Sequence, residues 1–214
     1  MSGLFITFEG TEGAGKSTLI KHLAHHLRGL GYAVCTTREP GGSPIAEQIR
    51  SIILNHPMDP WTELFLYEAS RAEHLAKTVL PALERGEIVL CDRFSDSSLA
   101  YQGAARGLDW KKVKLANQLA TQGVKPQLTV LLDVDPEAAL ARAQDKNRFE
   151  LEGVAFQKKV RAGFMKVARE EPRRWFKLKA ASDTPEQLTL KVWHTIEKRL
   201  ARPLKTIRKK AVIL

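Results

Sequence analysis

The chain has 214 residues, 43% hydrophobic and 27% charged, with a net charge of +10. That length suits one domain with a sizeable core, and the balance lies near the globular average. No apolar run approaches the roughly 20 residues that cross a bilayer, and the opening MSGLFITFEG lacks the leader pattern of a signal peptide, so membrane-embedded and secreted classes are set aside.

The positive charge leaves two classes open: a binder of nucleic acid or membrane surface, or a protein whose small substrates carry many negative charges. Cys35 and Cys91 sit in or beside short β-branched runs and are expected as reduced, buried thiols of a cytoplasmic protein.

In chain order, an apolar run at 4–8 predicts a strand, and a Gly-rich segment leads from it into a helix over 17–30. A strand at 33–37 follows, then a Pro-Gly-Gly turn and helices over 45–54 and 62–85. A strand at 88–91 ends in Asp92-Arg93 and opens a polar segment reaching Gly103. A helix over 110–121, a strand at 128–134 and a helix over 136–144 come next, with Asp135 as N-cap and Pro136 in the first turn. A polar break at 145–147, a helix over 154–171, a weaker strand at 176–180 and a helix over 185–200 capped by Thr184 complete the pattern. The basic tail, about 201–214, reads as a solvated terminus.

The strand runs are short and several are continuously apolar, as in buried parallel strands. Their alternation with helices predicts a three-layer, doubly wound α/β fold with a five-stranded parallel sheet, as one domain over 1–214. Ligands of such sheets bind beyond the carboxyl ends of the strands, which directs attention to the segments after each strand.

The first of these, Gly10-Thr11-Glu12-Gly13-Ala14-Gly15-Lys16-Ser17, matches G-x-x-x-x-G-K-[ST] in full, between a strand and a helix. Glycines let backbone N–H groups close on phosphate oxygens, and the helix start points its positive end at the same anion. Lys16 is expected on the β- and γ-phosphates of ATP, and Ser17 on Mg²⁺. Asp92 is expected to hold the same Mg²⁺ or its waters, and Arg93 to grip an acceptor phosphate. A second cationic group, Arg142, Lys146 and Arg148, lies about a lid expected over 142–154.

Further landmarks are Thr37-Arg38-Glu39-Pro40-Gly41-Gly42, Leu66-Tyr67-Glu68-Ala69-Ser70-Arg71, the run from Asp92 to Gly103, and Leu132-Asp133-Val134-Asp135-Pro136-Glu137. With the Phe8-to-Thr18 cradle, and in this order, they make the chain resemble the thymidylate kinases over nearly its whole length. The resemblance implies a P-loop, nucleoside monophosphate kinase-like fold. It also implies transfer of phosphate from ATP to dTMP with Mg²⁺, a homodimer, and no nucleic-acid or membrane partner. Residues Gly10 to Thr18 would hold ATP. Glu12 and Glu39 would be acceptor-site carboxylates, and Arg50 and Arg93 the clamps on the dTMP phosphate. Arg71 would donate to a thymine carbonyl and Tyr67 would stack on the base. Ser97, Ser98, Tyr101 and Gln102 would line the same pocket. Without the resemblance, Tyr67 beside Leu64, Phe65 and Leu66 reads as core packing.

Three positions depart from the family pattern. Tyr67 stands where Phe is common. Gly13 stands where some members carry a cradle arginine, which places the catalytic arginine in the lid, with Arg148 first and Arg142 second. Ala180 stands where an aspartate is frequent, leaving Ala181 and Ser182 to meet adenine through the backbone. The competing readings are a kinase of another monophosphate such as dUMP, and a non-catalytic basic NTP-binding module.

Overall fold

The apolar runs become the five strands of one parallel sheet: β1 (Leu4–Glu9), β2 (Val34–Arg38), β3 (Ile88–Asp92), β4 (Leu128–Asp133) and β5 (Trp175–Lys179). Their order is β2-β3-β1-β4-β5, so the fold is the predicted doubly wound one. The structure, a computed structural model, describes residues 3–142, 148–179, 183–201, 204 and 207.

β1 is buried along its whole length. Its side chains alternate between faces, as a pleated strand requires. Leu4, Ile6 and Phe8 join Leu19, Leu23 and Leu27 of α1 (Lys16–Gly29) and Val192 and Ile196 of α10 (Pro185–Arg199). Phe5 packs on the opposite face with Leu75, Val79 and Phe94.

The remaining helices are α2 (Pro44–Asn55), α3 (Pro60–His74), α4 (Leu80–Glu84), α5 (Ser95–Ser98), α6 (Trp110–Thr121), α7 (Pro136–Arg142), α8 (Arg148–Leu151) and α9 (Gly153–Glu170). Their starts obey local chemistry. Asp135 accepts from the backbone of Glu137 and Ala138, and Thr184 and Gln187 form a reciprocal capping box.

Three expectations need correction. The helix expected over 62–85 is continuous in space but changes pitch: residues Leu75–Val79 form a π turn between α3 and α4. Pro81 supplies the reason, since it has no N–H for the carbonyl four residues back and the wider turn absorbs the mismatch. The polar segment after Asp92 is helical, α5 passing into a π segment at Leu99–Ala105. Finally, the tail is not wholly solvated, for Leu204 and Ile207 are 5% and 4% exposed within the α1–α10 cluster.

Of the lid expected over 142–154, residues 143–147, including Lys146, lie outside the described residues, as do Ala180, Ala181 and Ser182. The described residues of that segment include the helix α8, whose Phe149 is buried. Both cysteines are free, Cys91 buried and Cys35 partly so. No described helix is long and apolar enough to cross a membrane.

Candidate active site

The register Phe8↔Asp92 sets the end of β1 beside the end of β3, so the cradle and Asp92-Arg93 meet. Gly10, Gly13 and Gly15 all have positive φ. Gly13 is also closed sterically: a Cβ there would lie 2.0 Å from the carbonyl oxygen of Ala139 on α7. The loop and α7 therefore touch backbone to backbone.

Lys16 is nearly buried and donates to the carbonyls of Gly10 and Thr11 at 3.3 and 3.1 Å. Burial, then Arg93, draws its pKa down. Ser17 Oγ donates to Asp92 Oδ2 at 2.8 Å. Asp92 Oδ1 is buried with no hydrogen-bond partner among the described residues. A hydroxyl and a carboxylate with a spare buried oxygen are hard donors suited to Mg²⁺, which takes few protein ligands when phosphates complete its shell. Thr18 is exposed on the first turn of α1.

Arg93 is the hub of a second cluster, beside the loop. Its backbone is left-handed (φ 69°), uncommon outside glycine. Its guanidinium donates to Gly10 O (3.0 Å), Ser97 Oγ (3.3 Å) and Glu12 Oε1 (2.7 Å) and lies 4.9 Å from the ring centre of Tyr101. Tyr101 OH donates to the same Glu12 oxygen at 2.8 Å. Burial opposes the Glu12 charge, but Arg93 and Lys16 overcome it and hold the carboxyl below its usual pKa. Arg50 donates to Pro40 O at 2.8 Å. Its pKa is lowered by burial, then by Arg38, with Arg93 a further contributor. Tyr67 stands edge-on to Phe149, centres 6.3 Å apart.

Arg71 sits deeper, 1% exposed. It donates to Glu39 Oε2, Ser98 Oγ, Asn117 Oδ1 and the Phe94 carbonyl at 2.8, 3.0, 2.9 and 3.3 Å, and pairs with Glu68 at 2.7 Å. The other Glu39 oxygen meets His74 Nδ1 at 2.9 Å. Glu39, expected to face the acceptor, thus spends both oxygens on Arg71 and His74. Gln102 is 1% exposed and donates to Glu63 at 2.7 Å. Arg106 and Arg148 pair with the same buried Glu63, and Arg148 also donates to the Ile53 carbonyl. The contacts of Arg148 are therefore with α2 and α3, whereas Arg142 lies exposed at the end of α7.

The structure brings together Glu12, Lys16, Ser17, Asp92, Arg93, Ser97 and Tyr101, with Arg50 nearby. It holds Glu39 and Arg148 in supporting ion pairs, and Gln102 in a hydrogen bond to Glu63. Sequence reasoning missed Glu9, Glu63, Glu68, His74, Arg106 and Asn117. Only Glu9 carried a signal: it is a charge closing a strand that is otherwise apolar or neutral.

A family profile described as thymidylate kinase matches residues 8–191. The thymidylate kinase of Syntrophotalea carbinolica is 49% identical over 212 residues, covering 93% of this chain and 97% of the relative. That of Geotalea uraniireducens is 53% identical over 185 residues, covering 81% and 87%. Among solved structures, the crystal structure of thymidylate kinase from Ehrlichia chaffeensis superposes with a TM-score of 0.75 at 33% identity, covering 91% of this chain and 98% of that one. With sequence, fold and site in agreement, the chain belongs to the thymidylate kinase family.

Proposed function

We propose that the protein transfers the terminal phosphoryl group of ATP to dTMP, giving ADP and dTDP. One observation carries this reading: Arg93, the acceptor clamp, donates to Gly10 O of the very loop that presents Lys16. Donor and acceptor phosphates would meet across a single turn of backbone.

A phosphate oxygen of dTMP attacks the γ-phosphorus, and the bond to the β-phosphate bridging oxygen breaks. The acceptor phosphate is already ionised, so no strong base is needed, and catalysis is positioning plus charge stabilisation. Lys16 neutralises the leaving oxygens, and Arg93 and Arg50 hold the acceptor. Ser17 and Asp92 would hold Mg²⁺, which when bound supplies charge compensation between the β- and γ-phosphates. Tyr101, held by Glu12, would pack against the sugar, and Tyr67 against the base.

The lid cation is assigned to Arg142 in preference to Arg148. Arg142 lies three residues beyond Ala139 on one helix face, and Ala139 abuts Gly13 of the loop. Arg148 is engaged by Glu63. The +10 charge then serves two polyanionic substrates and no nucleic acid. Phe65 on α3 and Leu115 and Leu119 on α6, 60%, 57% and 72% exposed, suit the face of a homodimer. A coupled ADP-release assay across dTMP, dUMP, dCMP, dGMP and AMP tests the reading. Strong preference for dTMP is expected, and no turnover with any acceptor would overturn it.

A further inference from the structure

Glu9 has no part in the chemistry above, yet it is completely buried one residue before the phosphate loop. Strand alternation turns it away from Phe8 and toward the β3–α5 turn. There Oε1 accepts the Phe94 N–H at 2.9 Å, and Oε2 lies 2.6 Å from Ser97 Oγ. Those two partners lie one and four residues beyond Arg93 in the chain. Arg93 N donates to Phe8 O at 2.9 Å, its side chain reaches Ser97 Oγ at 3.3 Å, and its backbone occupies the left-handed region. A left-handed arginine persists only where its surroundings over-determine it. Here the carbonyls of Phe8 and Gly10 and the carboxyl group of Glu9 do so from one side.

We infer that Glu9 is the positioning residue for Arg93, clasping the Phe94 N–H and the Ser97 hydroxyl so that the guanidinium is fixed where the acceptor phosphate must land. The inference rests on the proposed dTMP kinase reading. Burial, then Asp96, pushes the Glu9 carboxyl up to about 8, against the opposing influence of Arg93, Ser97 and the Phe94 N–H. One oxygen accepts from the Phe94 N–H and the other from the Ser97 hydroxyl, which in turn accepts from Arg93. A glutamine keeps the Phe94 contact through its carbonyl and still reaches Ser97, its amide donating to the hydroxyl oxygen in place of accepting from it. An alanine reproduces neither.

The test is calorimetric binding of dTMP and of thymidine, which lacks the phosphate, to wild type, Glu9→Ala and Glu9→Gln at pH 7. Glu9→Ala should bind dTMP about tenfold more weakly, the loss of roughly one charge-assisted contact. Thymidine affinity should stay unchanged, and Glu9→Gln should restore dTMP binding to within about threefold of wild type. Unchanged dTMP affinity in Glu9→Ala, an equal loss for thymidine, or no restoration by Glu9→Gln would each overturn the inference. Should Glu9→Ala not fold, Ser97→Ala cuts the same linkage at its second member and carries the comparison. A wild type that binds no dTMP would count against the kinase reading instead.

Discussion

On one side of the sheet, α1 and α10 close over Leu4, Ile6 and Phe8 in one large apolar cluster. On the other, Thr7 and Glu9 of the same strand begin a layer that reaches Glu39, Glu63, Arg71, His74 and Asp96, all nearly or fully buried. The apolar side needs only volume and shape, and substitutes there are interchangeable within packing limits. The polar side needs each partner in place, because a buried charge deprived of its counter-charge is costly. Stability is spread over the first face; geometry for chemistry is concentrated in the second.

The sharpest break in that comparison is Lys16→Ala. It should lower kcat by about 10³ or more while shifting Tm little, as its proposed place on the transferring phosphates requires; steady-state kinetics with thermal denaturation checks both. Arg142→Ala should lower kcat by about 10²–10³ with a smaller change in dTMP affinity, and Arg148→Ala by less than tenfold. The reverse ranking in single-turnover assays would return the role to Arg148.

Arg71→Ala leaves Glu39 and Glu68 without their cation and should destabilise by about 3–5 kcal/mol in urea denaturation, while narrowing the preference for dTMP over dCMP. Leu23→Ala, on the apolar side and fully buried, should cost about 2–5 kcal/mol yet leave KM for both substrates unchanged.

A pH dependence completes the comparison. The Glu9 pKa is raised from 4.5 to about 8, so its neutral form favours folding. That contribution is complete below about 4.5 and is lost as pH rises toward about 8. The charged groups facing Glu9 are Asp96 on α5, Arg93, and Lys16 on α1; Cys91 on β3 also feels it. Glu9→Gln does not titrate, so its Tm relative to wild type should climb from pH 5 to pH 8 and then level off.

Much of the apolar face was legible in the sequence. Short, continuous Val/Ile/Leu runs can only be buried strands, and the loop from Gly10 to Ser17 carries its own backbone demands. The polar face was legible only where a motif named it. Arg71 finds Glu39, Ser98 and Asn117 at separations of 32, 27 and 46 residues, and Arg174 finds Asp96 across 78. Such pairs obey no periodicity, because each is set by tertiary approach. No element was assigned between Asp92 and Gly103, because the Ser, Asp and Gly residues there hide a helix that packing imposes, mainly against α9.

The contact between Gly13 and the Ala139 carbonyl also bears on how this enzyme can change. Introducing an arginine at position 13 would first wedge α7 off the loop and carry Arg142 away with it. A side chain at position 13 and the present seat of α7 exclude one another within this backbone, so any residue larger than glycine there calls for a second change that re-seats α7.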